Sequence, residues 1–307
     1  MLTATDPSQP PNVVSTFGKL TLDSDWDKPM DSQEQYAEEP ILKENPKRFV
    51  LFPIQYHEVW QAYKNAEAKF WSAEEIELSD DAEGWDHLPG KSRAFITHAI
   101  ALLAANDALI GADIISPFSD ELQIPEGRCF FGFQIMQRNI HAELFTVILE
   151  MFCKGGEERE YVFKTVSELP STSKKAGWVA RHITDTPTHY SLRILALALY
   201  VSISHSALYA SLFHIAKPAA SSTSSTSSSQ PRTAWTGGSN DESPLPGTIR
   251  ALSKQHRDHV RYYDFCVIVS KLLVNKPNPA EVQQMAAELV SVEESLIDDL
   301  FGICGGG

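Results

Sequence analysis

The sequence predicts an all-α protein, a bundle of long helices around one core. Three observations predict it. From about Tyr56 onward, apolar residues recur at the three- and four-residue spacing of a helix face. Prolines and glycines punctuate these runs, at Pro125, Gly155-Gly156, Pro187 and Pro277-Asn278-Pro279. A chain of 307 residues with 43% hydrophobic content is long enough to bury one large core.

Taken in order, a first helix is expected over residues 55–69, where the helical spacing begins. A second follows over 91–115, and a third over 129–153, between Pro125 and the Gly155-Gly156 break. Shorter helices are expected over 161–169 and 173–183, the latter ended by Pro187. The most apolar run, 194–215, sits in a predicted helix over 192–216. It is preceded by Arg193 and interrupted by His205, His214 and several serines, so it is expected in the core of the bundle rather than in a membrane. Residues 247–274 form the next long helix, up to Pro277-Asn278-Pro279, and 280–300 the last.

Two segments are expected to stay outside the core. Residues 1–40 hold Pro10-Pro11, many acids and no basic residue before Lys19, which reads as a disordered tail and neither a secretory signal nor an Arg-rich transit peptide. Residues 218–244 contain nine consecutive Ser or Thr from Ser221 to Ser229, then Pro231 and Gly237-Gly238, the composition of a flexible surface loop. Residues 41–303 form the helical domain. The formal charge of −14 argues against nucleic acid and anionic membranes as partners. Cys129, Cys153, Cys266 and Cys304 show no framework spacing and read as three buried thiols and one exposed terminal one, in a reducing, cytoplasmic setting.

Two tetrapeptides carry the chemistry, Arg138-Asn139-Ile140-His141 and His259-Val260-Arg261-Tyr262. Residues three apart share a helix face, so Glu-x-x-His at such places would aim a carboxylate and an imidazole at one metal. Two such motifs, with one acid from each of two other helices, build a di-iron carboxylate bundle. Here the glutamates are missing and a guanidinium has entered. Arg138 is therefore expected to pair with Asp107 as a built-in cation, because an unpaired buried guanidinium costs several kcal/mol.

Residues 48–57 (RFVLFPIQYH), 68–79 (AKFWSAEEIELS), 126–135 (EGRCFFGFQI) and 157–161 (EEREY) closely resemble the small, radical-generating subunit of class I ribonucleotide reductase. The resemblance runs from about Ile41 to Phe301 and implies a ferritin-like helical bundle. Carried over one position at a time, it implies that Asp107 and His141 are retained ligands. The other four ligand positions are then Arg138, Val201, His259 and Tyr262. The position of the radical tyrosine is Phe145, which has no phenol to oxidise; Tyr209 and Tyr262 are the nearest tyrosines. Trp71, Asp258 and His141 match the family's hydrogen-bonded relay, and Arg257 precedes Asp258 as that pattern requires. The family's further C-terminal helices and docking tail have no counterpart after Ile303, which makes docking on the large subunit doubtful.

Three functional readings follow. The first is a non-catalytic paralogue similar to the accessory small subunit of some fungi, which pairs with itself or an active subunit, carries no cofactor and serves deoxyribonucleotide synthesis. Tyr262 and the Pro125-Glu126-Gly127 sequence are shared with that branch. The second is an oxidoreductase with a remodelled mononuclear site, in which Asp107, His141, His259 and the replacement ligand His205 hold one Fe, Mn or Zn ion. The third is a truncated, inactive copy.

Overall fold

A computed structural model describes residues 38–48, 50–184, 188–216 and 243–305. The expected N-terminal tail and most of the Ser/Thr-rich insertion lie outside the described residues. Eleven α-helices are formed among the described residues, and no strand. They are α1 His57–Glu67, α2 Asp81–His87, α3 Gly90–Ala108, α4 Ala112–Glu121, α5 Pro125–Phe152, α6 Gly156–Glu168, α7 Pro170–Val179, α8 Tyr190–Ile203, α9 Ser206–Ile215, α10 Pro246–Leu272 and α11 Pro279–Gly305. A single π turn, Ala180–Thr184, extends α7.

The helix starts follow local chemistry. Proline occupies the first turn of α5, α7 and α10, where its missing N–H is no loss and its fixed φ suits the helix. Helices α5 and α7 therefore begin three or four residues earlier than apolar spacing suggests, and α10 one residue earlier. Gly155 adopts φ 107°, a conformation costly for any residue with a Cβ, and turns the chain from α5 into α6. Asp81 anchors the start of α10 from a distance: its carboxylate accepts the backbone N–H of Gly247 at 2.6 Å and of Thr248 at 2.7 Å.

Two expected helices are broken. The predicted 91–115 helix stops at Ala108 and restarts after Gly111 as α4. The predicted 192–216 helix is interrupted at Ser204 and His205. There the side-chain amide of Asn106 donates to the Ser204 carbonyl at 2.7 Å, satisfying an acceptor that the break removes from the helical ladder. Spacing along α8 and α9 cannot show this, because the partner lies on α3.

The stretches Gly90–Glu121 and Tyr190–Ile215 are long and apolar enough to cross a membrane by length and composition. Both are broken in the middle and substantially buried against other helices of the bundle.

The core consists of two apolar clusters with a polar layer between them. Along α5, Phe130, Phe131 and Phe133 belong to one cluster, and Leu144, Phe145 and Ile148 to the other. Along α10, Ala251 and Leu252 belong to the second and Tyr262, Phe265 and Val269 to the first. Between them lie the buried polar residues Gln137, Arg138 and His141 on α5 and Asp258 and His259 on α10. Polar groups at this depth survive only as a bonded set, so the layer is where function is to be sought.

The cysteine expectation needs correction. Cys153 and Cys266 are buried, but Cys129 is only half-buried, and Cys304 packs partly under the second cluster instead of standing exposed. Helix α11 runs through position 304 and carries its side chain back onto the bundle.

Candidate functional site

Four helices converge on the polar layer: α3 brings Asp107, α5 brings Arg138 and His141, α8 ends near Val201, and α10 brings Asp258, His259 and Tyr262. The break after α8 places His205 in the same layer. Asp107, Arg138, His141, His205 and His259 are each at most 7% exposed. The residues expected from the sequence are therefore gathered at one place.

Asp107 is the hub. Arg138 Nη1 donates to its Oδ1, making the ion pair that the charge balance leads one to expect. His141 Nδ1 lies 2.9 Å from Oδ2, and His259 Nε2 3.0 Å from Oδ1. Burial alone would raise the Asp107 carboxyl, but the Arg138 and His141 charges and the imidazole hydrogen bonds more than reverse this and hold it well below the usual range. The group is a carboxylate at neutral pH.

His141 is bracketed by two carboxylates, with its Nε2 3.2 Å from Asp258 Oδ2. Burial disfavours its charge, yet Asp107 and Asp258 win and raise its pKa. Trp71 donates its indole N–H to the same Asp258 oxygen at 2.8 Å, while Arg261 Nη1 binds the other at 2.7 Å. A continuous hydrogen-bonded chain, Trp71–Asp258–His141–Asp107, is therefore intact. Two carboxylates are matched by imidazolium and guanidinium groups, with no shortage of positive charge.

The other two histidines behave differently. Burial drives His259 down to about 4, and drives His205, further opposed by its neighbour His259, well below its normal value. Both are neutral near pH 7. Their rings lie 4.1 Å apart, and His205 Nε2 is 3.7 Å from Asp107 Oδ1. Neither His205 nitrogen has a hydrogen-bond partner among the described residues.

A pH dependence follows. In the unfolded chain His259 titrates near 6.5, in the folded chain near 4, so between those values the unfolded state binds the extra proton and stability falls as pH falls. The loss from this group approaches ~3 kcal/mol by pH 4. His141, whose pKa is raised by Asp107 and Asp258, acts in the opposite sense: its stabilisation is complete only below the unfolded value of 6.5, so it opposes the decline near the top of the range and is flat at lower pH. Urea unfolding from pH 7 to 4 should show the decline; His205, also held well below its ordinary value, adds to it in the same direction, so His259→Gln should lessen the decline without abolishing it, and superimposable profiles would contradict this.

The remaining positions are apolar or shielded. Val201 is 1% exposed and packs in the first cluster, offering no ligand atom. Phe145, 2% exposed, is buried in the second. Tyr262 lies beneath the Arg138 guanidinium, 5.5 Å from ring centre to Cζ, and its hydroxyl has no partner among the described residues. The Tyr209 hydroxyl stands 3.4 Å from His259 Nδ1. Burial raises both phenols well above 10.

A pair of bridged metal ions needs several carboxylates around a shared space, with room for both ions. Here Asp107 is the carboxylate facing that space, Asp258 is consumed by Trp71, His141 and Arg261, and Arg138 reaches into the space. The donor set does not fit a carboxylate-bridged metal pair. It does bring Asp107, His205 and His259 together, with one ligand atom from each within 4.8 Å of the others.

Sequence reasoning missed a second buried polar cluster next to this layer. Lys175 of α7 lies 2.6 Å from Glu293 of α11 and donates to Asn106 Oδ1 at 3.0 Å. Its members are spread from residue 106 to residue 293, so no local spacing signals it. It also missed His256, which lines a pocket beside His205 and His259 and sits one turn before His259 on α10. The i, i+3 pairing of His256 with His259 was the available signal.

Comparison with known proteins bears on this geometry. Residues 48–220 match the family described as ribonucleotide reductase, small chain. Ribonucleoside-diphosphate reductase subunit M2 of Danio rerio is 36% identical over 262 residues, covering 85% of this chain and 62% of the relative. The chain thus spans about 62% of the length of that relative. The ribonucleotide reductase Rnr4 homodimer of Saccharomyces cerevisiae superposes with a TM-score of 0.71 at 33% identity, covering 85% of this chain and 75% of that one. The R2 subunit from Clostridium botulinum, at 16% identity and TM-score 0.65, shares the ferritin-like helical fold. With the family match covering more than half of the chain and the yeast structure covering 85% of it, this protein belongs to the ribonucleotide reductase small chain family.

Proposed function

We propose that this protein is a non-catalytic member of its family, an accessory small subunit that supports deoxyribonucleotide synthesis by pairing with itself or with an active, radical-bearing small subunit. One observation carries the reading: the Arg138 guanidinium occupies the centre, bound to the Asp107 carboxylate and 2.9 Å from His259 Nε2. A fixed organic cation there supplies the positive charge that the carboxylate needs, without metal and without redox chemistry. The intact Trp71–Asp258–His141 chain is then retained as packing and hydrogen bonding, since orphaning any member costs roughly 1–3 kcal/mol. The solved yeast Rnr4 neighbour is a homodimer, which supports pairing here. We place the protein in the cytoplasm.

Two measurements test this. Reconstitution with ferrous iron and oxygen should give no tyrosyl-radical signal by electron paramagnetic resonance, for the natural chain and for Phe145→Tyr alike, because the phenol alone does not restore the missing acids. Mixing with a radical-bearing small subunit should give a mixed dimer by native mass spectrometry and increase that subunit's radical yield. A radical coupled to a di-iron centre in the natural chain, or an active partner that forms no mixed dimer and gains nothing, would overturn the proposal.

A second reading is favoured by the approach of Asp107, His205 and His259. Two imidazoles and a carboxylate suit a single first-row metal ion. Such a site would not build a bridged di-iron centre, so it leads to the same expectation of no tyrosyl radical.

A further inference from the structure

His205 poses a problem that the accessory role leaves unsolved. It is 1% exposed, sits at the break between α8 and α9, and both its ring nitrogens lack hydrogen-bond partners among the described residues. A buried imidazole without partners gives up the hydrogen bonds that water supplies in the unfolded chain. The break aims it at Asp107 and at the His259 ring. An opening also leads to it: a small pocket of ≈ 90 Å³, lined by Val201, Ser202, His205, His256 and His259, opens between the α8–α9 junction and α10.

The guanidinium in the way is only partly engaged. Only Nη1 of Arg138 is engaged, with Asp107 and His259, while Nε and Nη2 have no partner among the described residues. Its planar head already lies over the Tyr262 ring, which can retain the cation by its π face when the Asp107 contact is broken.

We infer that Asp107, His205 and His259 form a conditional site for one divalent first-row metal ion, Zn²⁺ or Fe²⁺, which enters through this pocket and displaces Arg138 from Asp107. The inference rests on the single-ion reading and adds to it the route of entry and the competing internal cation. Two neutral nitrogen donors and one carboxylate oxygen, with coordination positions left toward the pocket, match the preferences of these ions. Arg138 and the ion compete for the same Asp107 Oδ1 and the same His259 Nε2, so occupancy by one excludes the other. His256, on the wall of the pocket, marks the mouth and is outside the ligand set.

The test is equilibrium dialysis of the full chain against Zn²⁺, and anaerobically against Fe²⁺, with elemental mass spectrometry of the protein. The natural chain should hold about one ion. His205→Phe should weaken binding by at least about tenfold, with His205→Asn as a second variant should the first misfold. Arg138→Gln should tighten it by at least about tenfold, and His256→Ala should change it little. Binding lost in the His205 variants but unchanged in Arg138→Gln would keep the single-ion site and overturn the competition. No ion in the natural chain and none in Arg138→Gln would overturn the site itself. Binding indifferent to His205 and abolished by His256→Ala would assign the ion to surface histidine, and also overturn it.

Discussion

Replacing Asp107 by asparagine is expected to cost ~3–5 kcal/mol of folding stability, the range for removing one partner of a buried ion pair. The substitution keeps shape and removes charge. Arg138, 7% exposed, would lose its carboxylate, and the imidazolium of His141 would lose one of the two that hold it charged. A companion variant separates charge from packing. Asp107→Leu combined with Arg138→Leu removes both charges and should recover most of the loss, because an apolar pair of adequate volume avoids the desolvation of both ions. Urea unfolding at pH 7 in the presence of a chelator measures each value. A cost below about 1 kcal/mol for Asp107→Asn would mean that the pair behaves as if in water, against the burial described here.

The second large effect is expected at Lys175, which is wholly buried against Glu293. Lys175→Met should cost ~3 kcal/mol or more, since it leaves a buried carboxylate without its cation. Burial already raises the Glu293 carboxyl, and the Lys175 charge is the principal force resisting it. Without that charge Glu293 should take up a proton, which limits the loss. The damage should concentrate on α11, tied to α7 by this pair. Amide hydrogen exchange should rise in α11 more than in α1, and Lys175→Met combined with Glu293→Leu should restore protection. A uniform change across the molecule, or none, would show that the pair does not fasten this helix.

These two sites mark the reach of sequence reading. The Asp107 centre was legible because each member sits in a helix whose apolar spacing is plain, and because resemblance to a family aligned Asp107, Arg138, His141 and His259 position by position. Charge then implied the Asp107–Arg138 pair. The Lys175 pair was not legible: its partners are more than a hundred residues apart, and a lysine in a short polar helix reads as solvated. The break at Ser204 and His205 has the same origin. Nothing within α8 and α9 announces it, since the Asn106 amide that satisfies the freed carbonyl comes from α3. Long-range capture of polar groups is what local periodicity cannot encode, and it decides where His205 points.

The same logic explains which helix limits failed. Pro125, Pro170 and Pro246 are starts rather than stops, because proline lacks only an N–H that the first turn leaves unused. Treating Pro125 as punctuation placed the start of α5 too late, and α7 begins at Pro170, ahead of the expected residue 173. The eight expected helices all have counterparts, two of them split, while α2 over Asp81–His87 falls in a stretch for which no helix was expected.

The proposed substitution is of a guanidinium for a bridged metal pair at the heart of this bundle. Its most direct test is the iron-to-chain ratio after anaerobic loading with ferrous iron and removal of loose metal, read by elemental mass spectrometry with Mössbauer spectroscopy of the same sample. The ratio should not exceed about one, with no magnetically coupled iron pair, and Arg138→Glu should raise it. Two tightly held, coupled irons per natural chain would contradict it.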